Sequence, residues 1–137
     1  MEGRIIPSGI IKNVPEGFVF VFGSNTSGKH GKGAAKDAVG MGAKFGQGEG
    51  LAGRTYGIPT KGSKLNILSI NEIKIYVDRY IEFCKSHPEL TFYTTEIGCG
   101  LAKYKPKDIA PLFKEAIDLP NVYFSERFWH KLKPKKT

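Results

Sequence analysis

FVFVFGSNTSGKHGKGAAK, residues 18–36, is the stretch on which the reading of the chain turns. Phe18–Phe22 is a continuous apolar run, the pattern of a strand buried on both faces. Gly33–Val39 sets Ala34, Ala35 and Ala38 around Lys36 and Asp37, which predicts a helix packed closely on a sheet and ended by Gly40 and Gly42. A strand, a glycine-rich turn and a helix start form a cradle for phosphate. Gly23 to His30 follows G-x-x-x-x-G-K-[ST] until its last position, where His30 replaces the hydroxyl that would hold Mg²⁺. Glu96 is the one acid that suits a second metal-holding position at a strand end. A nucleoside triphosphatase is therefore a poor fit.

Working outward, Arg54–Ile58 reads as a short strand stopped by Pro59, after a loop over Gly46–Gly53. Ile70–Ser86 is the strongest helix: Ile70, Ile73, Val77, Tyr80, Ile81 and Cys84 recur at helical spacing. Asn71 is its expected N-cap, and His87-Pro88 ends it. Leu90–Ile97 is a strand, followed by a second glycine-containing loop, Gly98–Lys105. Pro106 opens a helix with Ile109, Leu112, Phe113, Ala116 and Ile117 on one face. Asn121–Phe124 is a last strand. Alternating strands and helices predict an α/β fold with a mostly parallel sheet. Ligands of such folds sit beyond the carboxyl ends of the strands, and both glycine loops follow strands.

The 137 residues, 40% hydrophobic and 25% charged, suit one globular domain over 1–137. No apolar run reaches the roughly 18 residues of a membrane span, and the start lacks a cationic, apolar leader, so a cytoplasmic protein is expected. Cys84 and Cys99 are expected as reduced thiols. His30, His87 and His130 lack metal-ligand spacing. Net charge is +8, and residues 28–64 hold seven cations against two acids. Arg127 to Lys136 adds five cations without an acid, in a basic C-terminal tail over 127–137 expected to fray. This balance points to an anionic partner: a nucleotide, a nucleic acid or phosphate. Twelve of the seventeen glycines fall between Gly23 and Gly62, which marks that region as unusual backbone.

The order of these motifs resembles the macro domain, an ADP-ribose-binding α/β module, and the resemblance implies a three-layer sandwich with a mostly parallel mixed central sheet flanked by helices. The resemblance covers about 18–124 and rests on Asn25, then Gly28-Lys-His-Gly31-Lys32-Gly33-Ala-Ala, and later Ile97-Gly98-Cys99-Gly100-Leu101-Ala-Lys-Tyr104. The IGCGL segment is similar to the loop of the glycohydrolases that remove terminal ADP-ribose from proteins, and Thr55-Tyr-Gly-Ile-Pro-Thr-Lys61 resembles a segment of that group and of the DNA ADP-ribosyl glycohydrolases; the compact length and basic charge suit a bacterial or phage version. The resemblance implies that Lys61 is catalytic. Ala102 stands where the protein-directed enzymes carry an aspartate.

The residue types agree with such a site. Gly31, Gly33, Gly98 and Gly100 let a diphosphate approach backbone amides, and the start of the Gly33 helix adds a favourable dipole. Gly28, Lys32, Cys99 and Leu101 complete the two loops around the ligand. Asn25 can hydrogen-bond a ribose hydroxyl, and Tyr104 can cover the distal ribose. Lys61 is a candidate amine nucleophile, with His30 or Glu49 to move protons. No metal or cofactor is required. The expected partners are ADP-ribose or a related NAD-derived nucleotide and a protein or DNA that carries it. The alternatives are a non-catalytic nucleotide-binding module, a phosphatase acting on phosphorylated ADP-ribose, and a nucleic-acid binder using the basic loop and tail.

Overall fold

The computed structural model describes residues 4–8, 11, 14–100 and 102–132. Strands β1 (Ile5–Ile6), β2 (Phe18–Asn25), β3 (Gly50–Ala52), β4 (Thr55–Lys61), β5 (Thr91–Thr94) and β6 (Val122–Ser125) form one sheet in the order β1-β6-β5-β2-β4-β3. All neighbours are parallel except β3 and β4. Helix α1 (Gly33–Val39) covers one face. The other is covered by α2 (Ile70–Ser86), by α3 (Pro106–Ile109) with the 3₁₀ turn Ala110–Ala116, and by α4 (Glu126–Leu132). This is the expected α/β sandwich.

Strand alternation sorts the core. Val19 and Val21 of β2 point into the α2 layer, and Phe20 and Phe22 into the α1 layer. Ala35 and Ala38 are buried, so α1 can lie close to the two phenylalanines. From β2 the chain passes through α1 to β4 on one side, then through α2 to β5 on the other. The strand order therefore reverses about β2, and the crevice beyond its carboxyl end is where this architecture places ligands.

Several local expectations change. The N-cap of α2 is Ser69 rather than Asn71: Ser69 Oγ accepts from Glu72 N at 3.2 Å, and Glu72 Oε1 accepts from Ser69 N at 2.9 Å. β4 runs through Pro59 to Lys61, since β3 pairs only with Thr55–Gly57 and asks no donor of Pro59. Part of the expected Gly46–Gly53 loop is strand β3, whose open edge is closed by Gln47 Nε2 donating to Leu51 O at 3.0 Å. The Pro106 helix turns 3₁₀ after Ile109, because Pro111 has no N–H for an α-helical bond.

The basic tail does not fray where it is described. Arg127–Leu132 belongs to α4, which buries Phe128, Trp129 and Leu132 and is capped by Ser125 Oγ accepting from Phe128 N. The rest of the expected tail, 133–137, lies outside the described residues. Trp129 Nε1 donates to Arg4 O at 2.8 Å, while the Arg4 guanidinium lies 5.1 Å from the Trp129 ring. The same guanidinium donates to the carbonyls of Leu119, Val122 and Ile117.

Arg4→Ala strands three carbonyls near the core. It is expected to lower unfolding free energy by about 2–3 kcal/mol in urea titration, with Arg4→Lys recovering only part, since one ammonium cannot reach all three. The core also sets an alkaline limit. Burial pushes the Cys84 thiol up to about 12 and raises Tyr56 and the fully buried Tyr80. The unfolded chain ionises its thiols at about 8.5. Stability is therefore full below that value and falls as pH climbs through the window up to about 12. Urea midpoints measured between pH 7.5 and 10.5 are expected to fall, and less steeply in Cys84→Ala.

Candidate functional site

The two glycine loops meet at the carboxyl end of β2. A Cβ at Gly23 would stand 3.4 Å from Gly98 N and from the side-chain Oγ1 of Thr60, an ordinary contact distance, so β2, β4 and the loop after β5 lie side by side there. Thr26 N donates to Lys61 O at 2.9 Å, and Asn25 pairs with Lys61 in the sheet. The structure thus brings Lys61 beside Asn25 and the β2 loop, at the edge where both glycine loops emerge.

Within the β2 loop the expected ligand groups have structural work. Asn25 Oδ1 accepts from Lys29 N at 2.8 Å and from Ser27 Oγ at 2.8 Å, while Nδ2 donates to Lys29 O. The amide caps the loop, and the expected ribose bond gives way to that role. Gly28 N donates to Asn25 O at 3.0 Å. The Gly28 and Lys29 amides, two of those that a nucleoside-triphosphate loop would turn towards phosphates, are therefore engaged inside the loop. Gly28 has φ +73° and a Cβ there would lie 2.4 Å from Gln47 N, so packing alone demands glycine. Gly33 opens α1 at φ +61°, preceded by the exposed Lys32. Lys32 makes no side-chain cap of that helix.

His30 departs most from expectation. It is 1% exposed, edge-on to Phe22 at 5.5 Å between ring centroids and beneath Phe45 at 5.7 Å. Nε2 lies 3.0 Å from Gln47 O, to which it can only donate, and Nδ1 is buried without a hydrogen-bond partner among the described residues. No hydrogen bond joins His30 to Lys61 among the described residues. A proton shuttle at the open surface is not what this ring does in the free chain. Its burial holds segment 44–48 against the β2 loop, together with Gly46 N donating to Gly28 O.

In the second loop, Gly98 has φ +75° and would press a Cβ onto Ile109 Cδ1 at 3.0 Å. Burial pushes the Cys99 thiol up to about 12, with the Glu96 carboxylate adding to the rise, so it is a neutral packing group rather than a thiolate. Tyr104 Oη donates to Leu68 O at 2.6 Å, which makes it a strut between the loops after β5 and β4 rather than a cover for ribose. Leu101 lies outside the described residues. Both candidate acids are paired: Glu49 with Arg79 at 3.0 Å, and Glu96, its side chain only 5% exposed, with Arg127 and with Ser125 Oγ at 2.6 Å.

Gly31 and Gly100 stand apart. Neither has a positive φ, and a Cβ at either meets nothing within 4 Å among the described residues. The fold gives no reason for glycine at these two places, one in each loop.

Sequence reasoning also missed a crevice of about 450 Å³ on the β4 side of the β2 loop, lined by Thr26, Gly62, Ser63, Asn66, Tyr76 and Arg79 among others. Tyr76 and Arg79 read as the outer face of an amphipathic helix, and no local signal marks Asn66. The crevice borders Lys61 through Thr26 and Gly62. Comparison with protein-family models, curated proteins and solved structures returns no match for this chain. No helix of the described residues is long and apolar enough to cross a membrane.

The two kinds of glycine separate in a stability assay. Gly28→Ala and Gly48→Ala force a Cβ to within 2.4 Å of Gln47 N and 1.9 Å of Asn25 O. Each is expected to cost about 2 kcal/mol or more. Gly31→Ala and Gly100→Ala are expected to stay within about 0.5 kcal/mol of wild type by urea titration.

Proposed function

We propose that the carboxyl edge of the sheet binds ADP-ribose or a related NAD-derived nucleotide, its diphosphate lying across the glycine loops that follow β2 and β5. The observation that carries this reading is the pair Gly31 and Gly100, glycines in open space with ordinary φ. A side chain at either place would stand between the backbone and whatever approaches it. The excess of cations over residues 28–64 suits a diphosphate. The macro-domain resemblance of the same two loops supplies the ligand's identity.

Lys61 gives this site a possible chemistry. At the end of β4 its backbone is anchored by Thr26, beside the crevice that would receive the far end of a bound nucleotide. Attack by its amine on the anomeric carbon would displace the attached group, which leaves with the proton the amine gives up; opening of the ribose ring then turns the glycosylamine into an imine, which water hydrolyses. One finding favours a second reading, binding without turnover. Glu49, the acid proposed to move protons, is held in an ion pair with Arg79, Glu96 is held by Arg127, and Ala102 stands where the protein-directed glycohydrolases carry aspartate.

Calorimetric titration tests both. ADP-ribose is expected to bind with micromolar affinity, ATP with Mg²⁺ much more weakly, and Gly100→Glu to abolish binding without unfolding the chain. Absence of ADP-ribose binding to wild type sinks the proposal. Where binding holds, release of ADP-ribose from modified protein or DNA that Lys61→Ala abolishes marks an enzyme. A Lys61→Ala variant that alters affinity alone, with no release by wild type, marks a binding module.

A further inference from the structure

Two residues other than glycine have left-handed backbone among the described residues, Leu65 at φ +62° and Lys103 at φ +68°. Both lie in loops at the carboxyl edge, after β4 and β5. For an L-residue this conformation is unfavourable, and it persists only where the surroundings over-determine it.

Lys103 is held from both sides. Lys103 N donates to Gly100 O at 2.9 Å and Tyr104 N to Gly98 O at 2.7 Å. Ala102 before it is 4% exposed, and the Tyr104 hydroxyl after it is tied to Leu68 O. The chain must turn between these anchors, and glycine would make the turn with less strain. The chain carries an exposed lysine instead, and its ammonium makes no hydrogen bond or ion pair among the described residues. The nearest acid on the same loop, Glu96, is engaged by Arg127 and Ser125. Asp108, the next acid along the chain, accepts from Lys105 N at 3.0 Å. The fold thus holds a cation in an unfavourable backbone state, three residues from the open glycine Gly100, without using its charge.

We infer that Lys103 is an anion-binding residue of the loop after β5, supplying the ammonium for a phosphate or diphosphate group that settles over Gly100. The inference rests on the phosphate part of the proposed reading and adds a residue to it. Lys103 acts as a point charge on a flexible stem, so it recognises phosphate without fixing what is attached.

The test is titration of the full chain with inorganic pyrophosphate at low salt, followed by backbone-amide NMR, beside Lys103→Gln and Lys103→Gly. Pyrophosphate is expected to shift the amides of Gly98–Tyr104. Both variants are expected to weaken binding about tenfold, and the difference to shrink as salt is raised. Only Lys103→Gly relieves the turn, so its Tm is expected at or above wild type, whereas Lys103→Gln leaves Tm near wild type. Pyrophosphate that leaves this loop unshifted, or binds Lys103→Gln as it binds wild type, overturns the inference. ADP-ribose titrated into the same proteins separates the two ideas. Pyrophosphate binding that depends on Lys103, without ADP-ribose binding, defeats the nucleotide reading alone. ADP-ribose binding indifferent to Lys103 defeats this inference alone.

Discussion

At Gly23 the backbone of β2 lies against the Gly98 amide and the Thr60 hydroxyl, with 3.4 Å left for a Cβ to either. Two residues on, Asn25 O faces Gly48 so closely that a Cβ there would stand 1.9 Å away. The Gly48 approach, possible only where the side chain is missing, and the contact at Gly23 gather segment 44–48, β4 and the loop after β5 at the carboxyl end of one strand. The rest of the site follows from them. Segment 44–48 is drawn in far enough for Gln47 O to reach His30, and the end of β4 stays beside β2 far enough for Thr26 N to bond Lys61 O. The Gly98 loop is set where Tyr104 can tie it to Leu68. A glycine-dense stretch in this protein is thus a close-packed hub rather than a flexible hinge.

The elements legible in the sequence are those whose signal is local. The Phe18–Phe22 run, the alanines of α1 and the helical spacing of Ile70–Cys84 each report their own burial, and each is found where that pattern places it. What was misread depends on contacts made elsewhere. Pro59 lies inside β4 because β3 stops short of it. The N-cap signal was present as Ser69-Ile-Asn-Glu72, and the capping box takes its first residue, leaving Asn71 in the helix. The basic tail was read from charge, yet Phe128, Trp129 and Leu132 alternate with those charges and bury α4 against the sheet. Of the candidate site, the sequence marks the two loops and Lys61, and the structure brings Lys61 beside the β2 loop. That Asn25, Gly28 and Gly98 serve the loops themselves, and that His30 faces inward, follow from three-dimensional packing that no spacing encodes.

Charge divides in the same way. Arg127, Arg79 and Arg4 belong to the excess of positive charge, but each has an assigned partner: Glu96, Glu49, and the carbonyls at the end of the 3₁₀ turn together with the Trp129 ring. These arginines hold elements together. The lysines of the carboxyl edge, among them Lys29, Lys32 and Lys103, are exposed. The field outside the two loops is therefore set by lysines, which suits a solvated phosphate better than a nucleic-acid groove lined by forked guanidinium groups.

His30 bears on how a bound ligand would be read out. A ring nitrogen buried without a partner is unfavourable by about 1–3 kcal/mol. Here it sits under Phe45, which is 67% exposed and the most exposed large hydrophobic side chain of the described chain. Gln47, which fixes the protonated nitrogen, belongs to the same segment as Phe45, and Gly46 between them bonds the loop that ends at Gly31. Any movement of segment 44–48 would change the covering of His30 and the shape of the β2 loop together. Catalysis by this ring would thus require the segment to lift, whereas ligand binding over Gly31 and Gly100 would not. In the proposed reading, binding is the part the resting structure is ready for, and chemistry at Lys61 is the part that must recruit something more.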